Sequence, residues 1–177
     1  YDESRSAEFL GRWDLMADGN WNGNPAGSSP AHPSSWSKLK LGWIDTQEVA
    51  TLTSGETYTI YQLETPADGL LALRISVSTY YYLVEVRQRT LYDSALPDKG
   101  VLILFCNDSR ESGMGPVRLI DAKPTSPSLN DAPFDVGENQ TFYDSVYKVF
   151  ITVLSAEGAS YQVRASYAAN IVRITTT

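Results

Sequence analysis

Alternation of apolar and polar residues dominates the chain after residue 45. Residues 71–78 place Leu71, Leu73, Ile75 and Val77 on one face and smaller or polar side chains on the other, which is the pattern of a half-buried strand. Similar patterns and one continuous apolar run predict further strands at 57–63, 80–88, 101–105, 147–154 and 160–167. A hairpin turn is expected at 155–159. Short strands separated by turns favour a mainly β fold, an antiparallel β-sandwich over residues 46–168.

The first 45 residues have a different texture. Residues 17–35 are dense in Gly, Asn, Ser and Pro, which is typical of loops. A short helix is predicted from Pro33 to Leu41, with Pro in its first turn and Gly after its last. Trp36, Leu39 and Trp43 follow helical spacing and should share one face. We therefore divide the chain into a loop-and-short-helix segment at 1–45, the sandwich at 46–168 and a tail or edge strand at 169–177.

Charge and cysteine content narrow the class of protein. The chain has 14 Lys and Arg against 21 Asp and Glu, a net charge of -7, which argues against nucleic acid and against an anionic membrane surface. No apolar run reaches the roughly 20 residues of a membrane-spanning helix. Cys106 is the only cysteine, so no internal disulfide can form. The polar start, without an initiator Met, leads us to expect an internal fragment or a processed form.

Four blocks in the sequence point to a known family. The first is Trp13-Asp14-Leu15-Met16, followed by Gly19-Asn20-Trp21. The other three, in chain order, are 30–43, 82–88 and 96–103. In order and spacing these blocks resemble the secreted zinc metallopeptidases of the immune-inhibitor-A-like family. The resemblance covers residues 1–108 well and the remainder loosely. Without the other blocks, Trp13, Leu15 and Met16 would be interpreted as ordinary core residues.

The resemblance implies a zinc endopeptidase that hydrolyses peptide bonds in extracellular proteins, outside the cell or at its surface. A helix with His-Glu-x-x-His binds the zinc in that family, and its glutamate activates the zinc-bound water. Residues 1–45 would then be the C-terminal end of the catalytic domain, with Trp13, Asp14 and Met16 around the zinc site and Met16 as the Met-turn residue beneath the metal. The zinc ligands would precede residue 1, in an upstream half of the same protein or in a separate chain. The 1–177 chain alone is predicted to be inactive.

The sequence also departs from the family. His32 is the only histidine, and Phe105-Cys106 stands where the family is expected to have a Trp-His pair. The alternative is therefore a non-catalytic module, either a protease-like scaffold or a surface-binding sandwich of a larger cell-surface protein. Without the zinc helix, we expect Trp13, Leu15, Met16 and Trp21 to be covered by a separate chain, a second copy or packing on the sandwich.

Other residues were weighed for metal binding and chemistry. Asp18, Asn20 and Asn22 match the opening of a calcium loop, but Ser29 stands where a bidentate glutamate is needed, so only weak binding is expected. His32 is interpreted as a capping or packing residue and Cys106 as a buried, inert thiol.

Two further features lie on the predicted strand at 80–88. The three tyrosines at 80–82 should place one face in the core, and the other face could serve as a platform for sugar or peptide, although exposed tyrosines on a sheet are common. Glu85 and Arg87 are spaced for an ion pair with each other or with the next strand.

Overall fold

Two β-sheets pack face to face in the computed structural model, which describes residues 9–65 and 69–168. The strands of this part of the chain are β1 Val49–Thr51, β2 Glu56–Tyr61, β3 Ala72–Val77, β4 Tyr80–Arg87, β5 Gly100–Cys106, β6 Val117–Ile120, β7 Thr141–Asp144, β8 Val149–Glu157 and β9 Ser160–Tyr167. One sheet has the order β1-β3-β4-β5-β6 and the other β2-β9-β8-β7. All pairs are antiparallel except β1 with β3. The predicted mainly β sandwich is confirmed.

The main core lies between the two sheets. Leu73, Ile75 and Val77 of β3 are buried in it, while Ser76 is exposed, so the alternation predicted for these residues is confirmed. Leu71, predicted on the same face, lies before β3 and is buried in a separate cluster with Ile44 and Leu63. The opposite sheet supplies Ile151, Val153, Tyr161 and Val163, all at most 2% exposed. The sandwich thus buries one face of each sheet against the other.

A second core covers the outer face of the five-stranded sheet. Leu83 of β4 and Leu104 of β5 pack there against Leu10, Trp13 and Ala31 of the N-terminal segment. This explains why β4 is buried on both faces, since even its charged residues lie beneath the segment. Residues 9–45 are therefore packed directly against the sandwich, on the outer face of its five-stranded sheet.

The helix of the N-terminal segment, α1, spans Ser35–Leu41. The Ser34 hydroxyl caps its start by accepting from the Ser37 N–H, and Gly42 ends it with a φ of 70°, a left-handed conformation that suits glycine. The docking predicted through Trp36 and Leu39 is observed, because both pack against the second core. The prediction that Trp43 shares this face is wrong: the chain leaves the helix at Gly42, and Trp43 is 63% exposed.

Some boundaries also differ from the sequence expectation. The turn placed at 155–159 is shorter, because β8 continues to Glu157 and only Gly158 and Ala159 form the turn. β1, β6 and β7 are strands of three or four residues that the pattern did not predict. The tail at 169–177 lies outside the described residues. In the described part of the chain, no helix is long and apolar enough to cross a membrane.

Candidate functional site

A buried ionic cluster joins the N-terminal segment to the sandwich. Arg87, at 0% exposure, uses all five of its N–H groups. Its Nε and Nη2 donate to the two carboxylate oxygens of Asp93 at 2.8 Å each, and Nη1 donates to Glu85 Oε1 at 3.2 Å. The remaining two donors reach the carbonyls of Trp13 at 2.8 Å and His32 at 3.0 Å. The ion pair predicted between Glu85 and Arg87 is confirmed, and it belongs to a larger network.

The carboxylates of this cluster are bonded to the backbone of the segment. Asp93 Oδ1 accepts from the His32 N–H at 2.8 Å, and Glu85 Oε2 accepts from the Ser35 N–H at 2.7 Å at the start of α1. A helix N-terminus carries unpaired N–H groups and a partial positive charge, so a carboxylate is favourable there. Side chains on the sandwich therefore fix the path of the segment through its main chain.

Lys38, on α1, is the second buried cation of this region, after Arg87 on β4. Its Nζ donates to the Leu63 carbonyl at 2.6 Å, and the residue is 6% exposed. Burial lowers the pKa of Lys38 to about 8, although the nearby Glu85 carboxylate opposes the shift. The ammonium group is thus kept in place by a carbonyl and by its acidic neighbours.

His32 lies beside these charges with a half-buried ring. Burial, followed by the positive charge of Lys38, lowers the pKa of His32 to about 4. Its Nδ1 is buried and has no hydrogen-bond partner among the described residues. The interpretation of His32 as a packing residue agrees with this position, since the ring makes no triad or ligand group with its neighbours there.

Asp14 shapes the turn in which the family-like residues lie. Its carboxylate accepts from the Met16 N–H at 2.7 Å and from the Ser34 N–H at 2.8 Å, and Asp14 is 0% exposed. Trp13 beside it is 1% exposed and donates its indole N–H to the Leu129 carbonyl at 2.6 Å. Two buried residues therefore hold the backbone of this turn from both sides.

The side chains that follow in the turn face outward. Leu15 is 37% exposed, Met16 54% and, further along, Trp21 63%. Of the three covers expected for Trp13, Leu15, Met16 and Trp21, packing on the sandwich is observed for Trp13 only; cover of the other three by a separate chain or a second copy stays a prediction. The reason is geometric: Asp14 draws the backbone inward, so the next two side chains point to solvent.

Met16 also lines a cleft of about 140 Å³ at the edge of the five-stranded sheet. Phe9, Ala17, Trp36 and Val117 share its walls. The Trp36 indole is held by Asp108, which accepts from Trp36 Nε1 at 3.1 Å. The exposed side chain of Met16 therefore borders this cleft directly, and the hydrogen bond to Asp108 holds the Trp36 side of the cleft in place.

The three calcium candidates differ in environment. Asp18 is exposed and opens the four-residue 3-10 helix Asp18–Trp21, in which Asn20 is half-buried. Asn22 is 1% exposed and donates its amide to the Arg12 carbonyl at 2.9 Å. The loop of alternating ligands suggested by the sequence is thus replaced by a helical turn. Calcium at these residues stays a prediction.

The tyrosines of β4 do not form a platform. Tyr81 is 5% exposed and donates to Asp108, while Tyr82 is 2% exposed and donates to Asp144. Tyr80 packs its ring on Phe105, with centroids 5.4 Å apart. The platform for sugar or peptide that one face could have offered is therefore not formed, because the second core covers Tyr81.

Cys106 behaves as predicted. The residue is fully buried at the end of β5, and burial raises the pKa of its thiol well above the ordinary range. A thiol that stays protonated is a poor nucleophile.

The described residues do not fit a zinc centre of the family type. No group of three or more His, Cys, Asp or Glu side chains among residues 9–65 and 69–168 could hold a metal ion. Glu85 and Asp93 belong to the ionic cluster, and Asp14 lies near it. All three carboxylates accept hydrogen bonds from backbone N–H groups or from Arg87.

Comparison with known proteins adds no relative. No protein-family model matches the chain, and no curated protein matches its sequence.

Three residues of the site were missed by sequence reasoning. Asp93 and Asp108 lie in loops where acidic residues are usually solvated, and Lys38 looked like an ordinary helix lysine. One signal was available: an arginine and a glutamate in the interior of a strand with apolar neighbours need buried partners. The identity of those partners depended on tertiary structure.

Proposed function

We propose that this chain forms the C-terminal portion of a secreted zinc metalloendopeptidase that hydrolyses peptide bonds in extracellular proteins, with zinc ligands supplied from outside this sequence. The turn at Leu15 and Met16 carries the proposal. Buried Trp13 and Asp14 fix its backbone, yet both of its apolar side chains face solvent. A fixed turn that presents apolar groups is suited to receive another element.

Exposure of this turn is unfavourable unless something covers it. Apolar surface left in water forfeits about 25 cal/mol per Å². Exposed apolar patches in soluble proteins commonly mark interaction sites. Under the proposal, the zinc-binding helix packs over Leu15 and Met16, and Met16 lies beneath the metal without binding it. The cleft beside Met16 extends the surface available to that helix.

Under the proposal, residues of this chain would hold the turn beneath the zinc-binding helix and would not take part in peptide hydrolysis. Asp14 holds the turn, and Arg87 holds the Trp13 and His32 carbonyls on either side of it in sequence. No step of peptide hydrolysis is assigned to a residue of this chain. The partners are then the upstream half of the same protein, within one chain or as a separate chain, and a protein or peptide substrate. The compartment is extracellular or at the cell surface.

A pair of methionine variants tests the proposal in the complete protein that carries this sequence. Met16 and Met114 are 54% and 55% exposed, so they are matched in accessibility. Met16→Ser should weaken casein cleavage and lower the thermal stability of the catalytic part, because it removes apolar contact beneath the helix. Met114→Ser should change neither.

Two results would contradict the proposal. Equal effects of the two variants would mean that Met16 has no special contact. A complete protein without zinc and without cleavage would favour the alternative, a non-catalytic protease-like or surface-binding module.

A further inference from the structure

His32 lies where the N-terminal segment meets the sandwich. Its backbone N–H donates to Asp93 at 2.8 Å and its carbonyl accepts from Arg87 at 3.0 Å, so residue 32 is bonded to the sandwich on both sides of its α-carbon. Its ring is half-buried, with Nδ1 in a buried position that lacks a hydrogen-bond partner among the described residues. The ring is therefore attached to a residue whose backbone bonds the segment to the sandwich.

Charged groups face this region from every packed element. They are Asp14 from the turn before Leu15, Lys38 from α1, Glu64 from the loop after β2, Glu85 and Arg87 from β4, and Asp93 from the 3-10 helix Leu91–Ala95. The carboxylates of Asp14, Glu85 and Asp93 already accept two or more hydrogen bonds each. An imidazolium carries a hydrogen on both nitrogens, so a docked and protonated ring would hold a buried Nδ1–H without an acceptor among the described residues, which is unfavourable.

We propose that His32 is an acid-operated latch: when its ring takes up a proton, residues 9–45 loosen from the sandwich while the two sheets stay packed. Hydration of the protonated Nδ1–H requires the ring to leave its docked position, and the backbone of the same residue makes the bonds to Asp93 and Arg87. The core between the sheets is formed by apolar side chains distant in sequence from residue 32, so it does not depend on these bonds. The latch thus acts on the segment that presents Met16 and the neighbouring cleft.

The direction of the pH effect follows from the pKa of His32, which is about 4 when docked against an ordinary value of 6.5. Between these pH values the loosened state binds the additional proton, so acid favours it. The equilibrium constant for loosening should rise by about one to two orders of magnitude between pH 7.5 and 4.5. Above about pH 7.5 the ring is largely neutral in both states and exerts almost no effect.

Tryptophan fluorescence selectively reports the loosening of residues 9–45 from the sandwich. All four tryptophans lie between residues 13 and 43, so their emission follows the segment, whereas far-ultraviolet circular dichroism follows the sheets. A 10- to 100-fold rise in the loosening constant takes a loosened state populated at about 1% to about 10–50%. From pH 7.5 to 4.5, the 1–177 chain should therefore show a red shift and stronger acrylamide quenching, with unchanged dichroism. Trp13 should account for most of this change, since it is 1% exposed when docked.

Two variants separate His32 from the acids beside it. His32→Gln cannot be protonated in this range and should abolish the fluorescence step. Glu64→Gln should retain it, although burial raises the pKa of Glu64 and makes it the rival titrating group. The proposal is overturned if the wild type shows no step, if His32→Gln keeps the step, or if only Glu64→Gln removes it.

Proton NMR provides a readout that needs no variant. The chain has one histidine, so its imidazole C–H signals require no assignment. A titration midpoint below about 5 supports the latch, and a midpoint at the ordinary value of about 6.5 contradicts it.

Discussion

Arg87 and Asp93 form a bidentate ion pair, with both N–O distances at 2.8 Å and with the two residues 0% and 1% exposed. β4 supplies the arginine, and the 3-10 helix Leu91–Ala95 supplies the aspartate. The same guanidinium binds the carbonyls of Trp13 and His32. One side chain therefore joins the sandwich, a connecting loop and the N-terminal segment.

Loss of this arginine should be severely destabilising. Arg87→Met preserves much of the apolar volume but leaves the carboxylates of Glu85 and Asp93 buried without their cation. Breaking a buried pair from one side costs about 3–5 kcal/mol. Urea unfolding of the 1–177 chain measures the loss.

Arg110→Met provides the control for this variant. Arg110 is exposed and donates to the Met114 carbonyl, so its replacement should change the free energy of unfolding by no more than about 0.5 kcal/mol. Similar losses in the two variants would show that the cluster contributes nothing beyond an ordinary surface arginine.

Leu73 and Arg74 test the two faces of β3. Leu73 is 0% exposed in the core between the sheets, and Leu73→Ala should cost about 2–5 kcal/mol. Arg74 points to the other face, with its guanidinium 3.5 Å from the centroid of the Tyr81 ring. Arg74→Ala should cost less than half as much. Equal losses in urea unfolding would refute the assigned alternation.

Asp144 makes stability sensitive to strong acid. Burial opposes ionisation, but hydrogen bonds from Tyr82 and from the backbone N–H groups of Tyr147 and Val146 outweigh it and lower the pKa of Asp144 below 3.8. A carboxyl with a depressed folded-state pKa stabilises the fold above its ordinary pKa, and this contribution disappears as the pH falls through the folded value. Asp144→Asn should therefore destabilise the protein at pH 7 more than at pH 2.5. A pH-independent difference in thermal melting would contradict this.

The sequence predicted the sandwich better than its surroundings. Alternation in β3 and the apolar run in β5 were sufficient, since side-chain period and burial are local signals. β1, β6 and β7 are too short to show a period, and their pairing depends on neighbours distant in sequence. The docking of α1 through Trp36 and Leu39 was predictable because a helix of seven residues needs tertiary contacts.

The site was predicted only in part. Glu85 and Arg87 were paired correctly because their spacing puts them on one face of a strand. Their connection to the carbonyls of Trp13 and His32 depends on a segment that folds back over 50 residues or more. Asp93 is only six residues from Arg87, but it lies in the 3-10 helix Leu91–Ala95, which the pattern did not predict. The burial of Tyr81 and Tyr82, on both faces of the sheet, was also not predicted. Sequence alone did not show that residues 9–45 cover the outer face.

Metal content and proteolytic activity test the proposed zinc endopeptidase most directly. The measurement compares purified 1–177 with the complete protein, using zinc analysis after dialysis and casein cleavage with and without a chelator. The account predicts about one zinc per molecule and chelator-sensitive cleavage for the complete protein, and neither for 1–177. Stoichiometric zinc with cleavage in 1–177, or neither property in the complete protein, would contradict it.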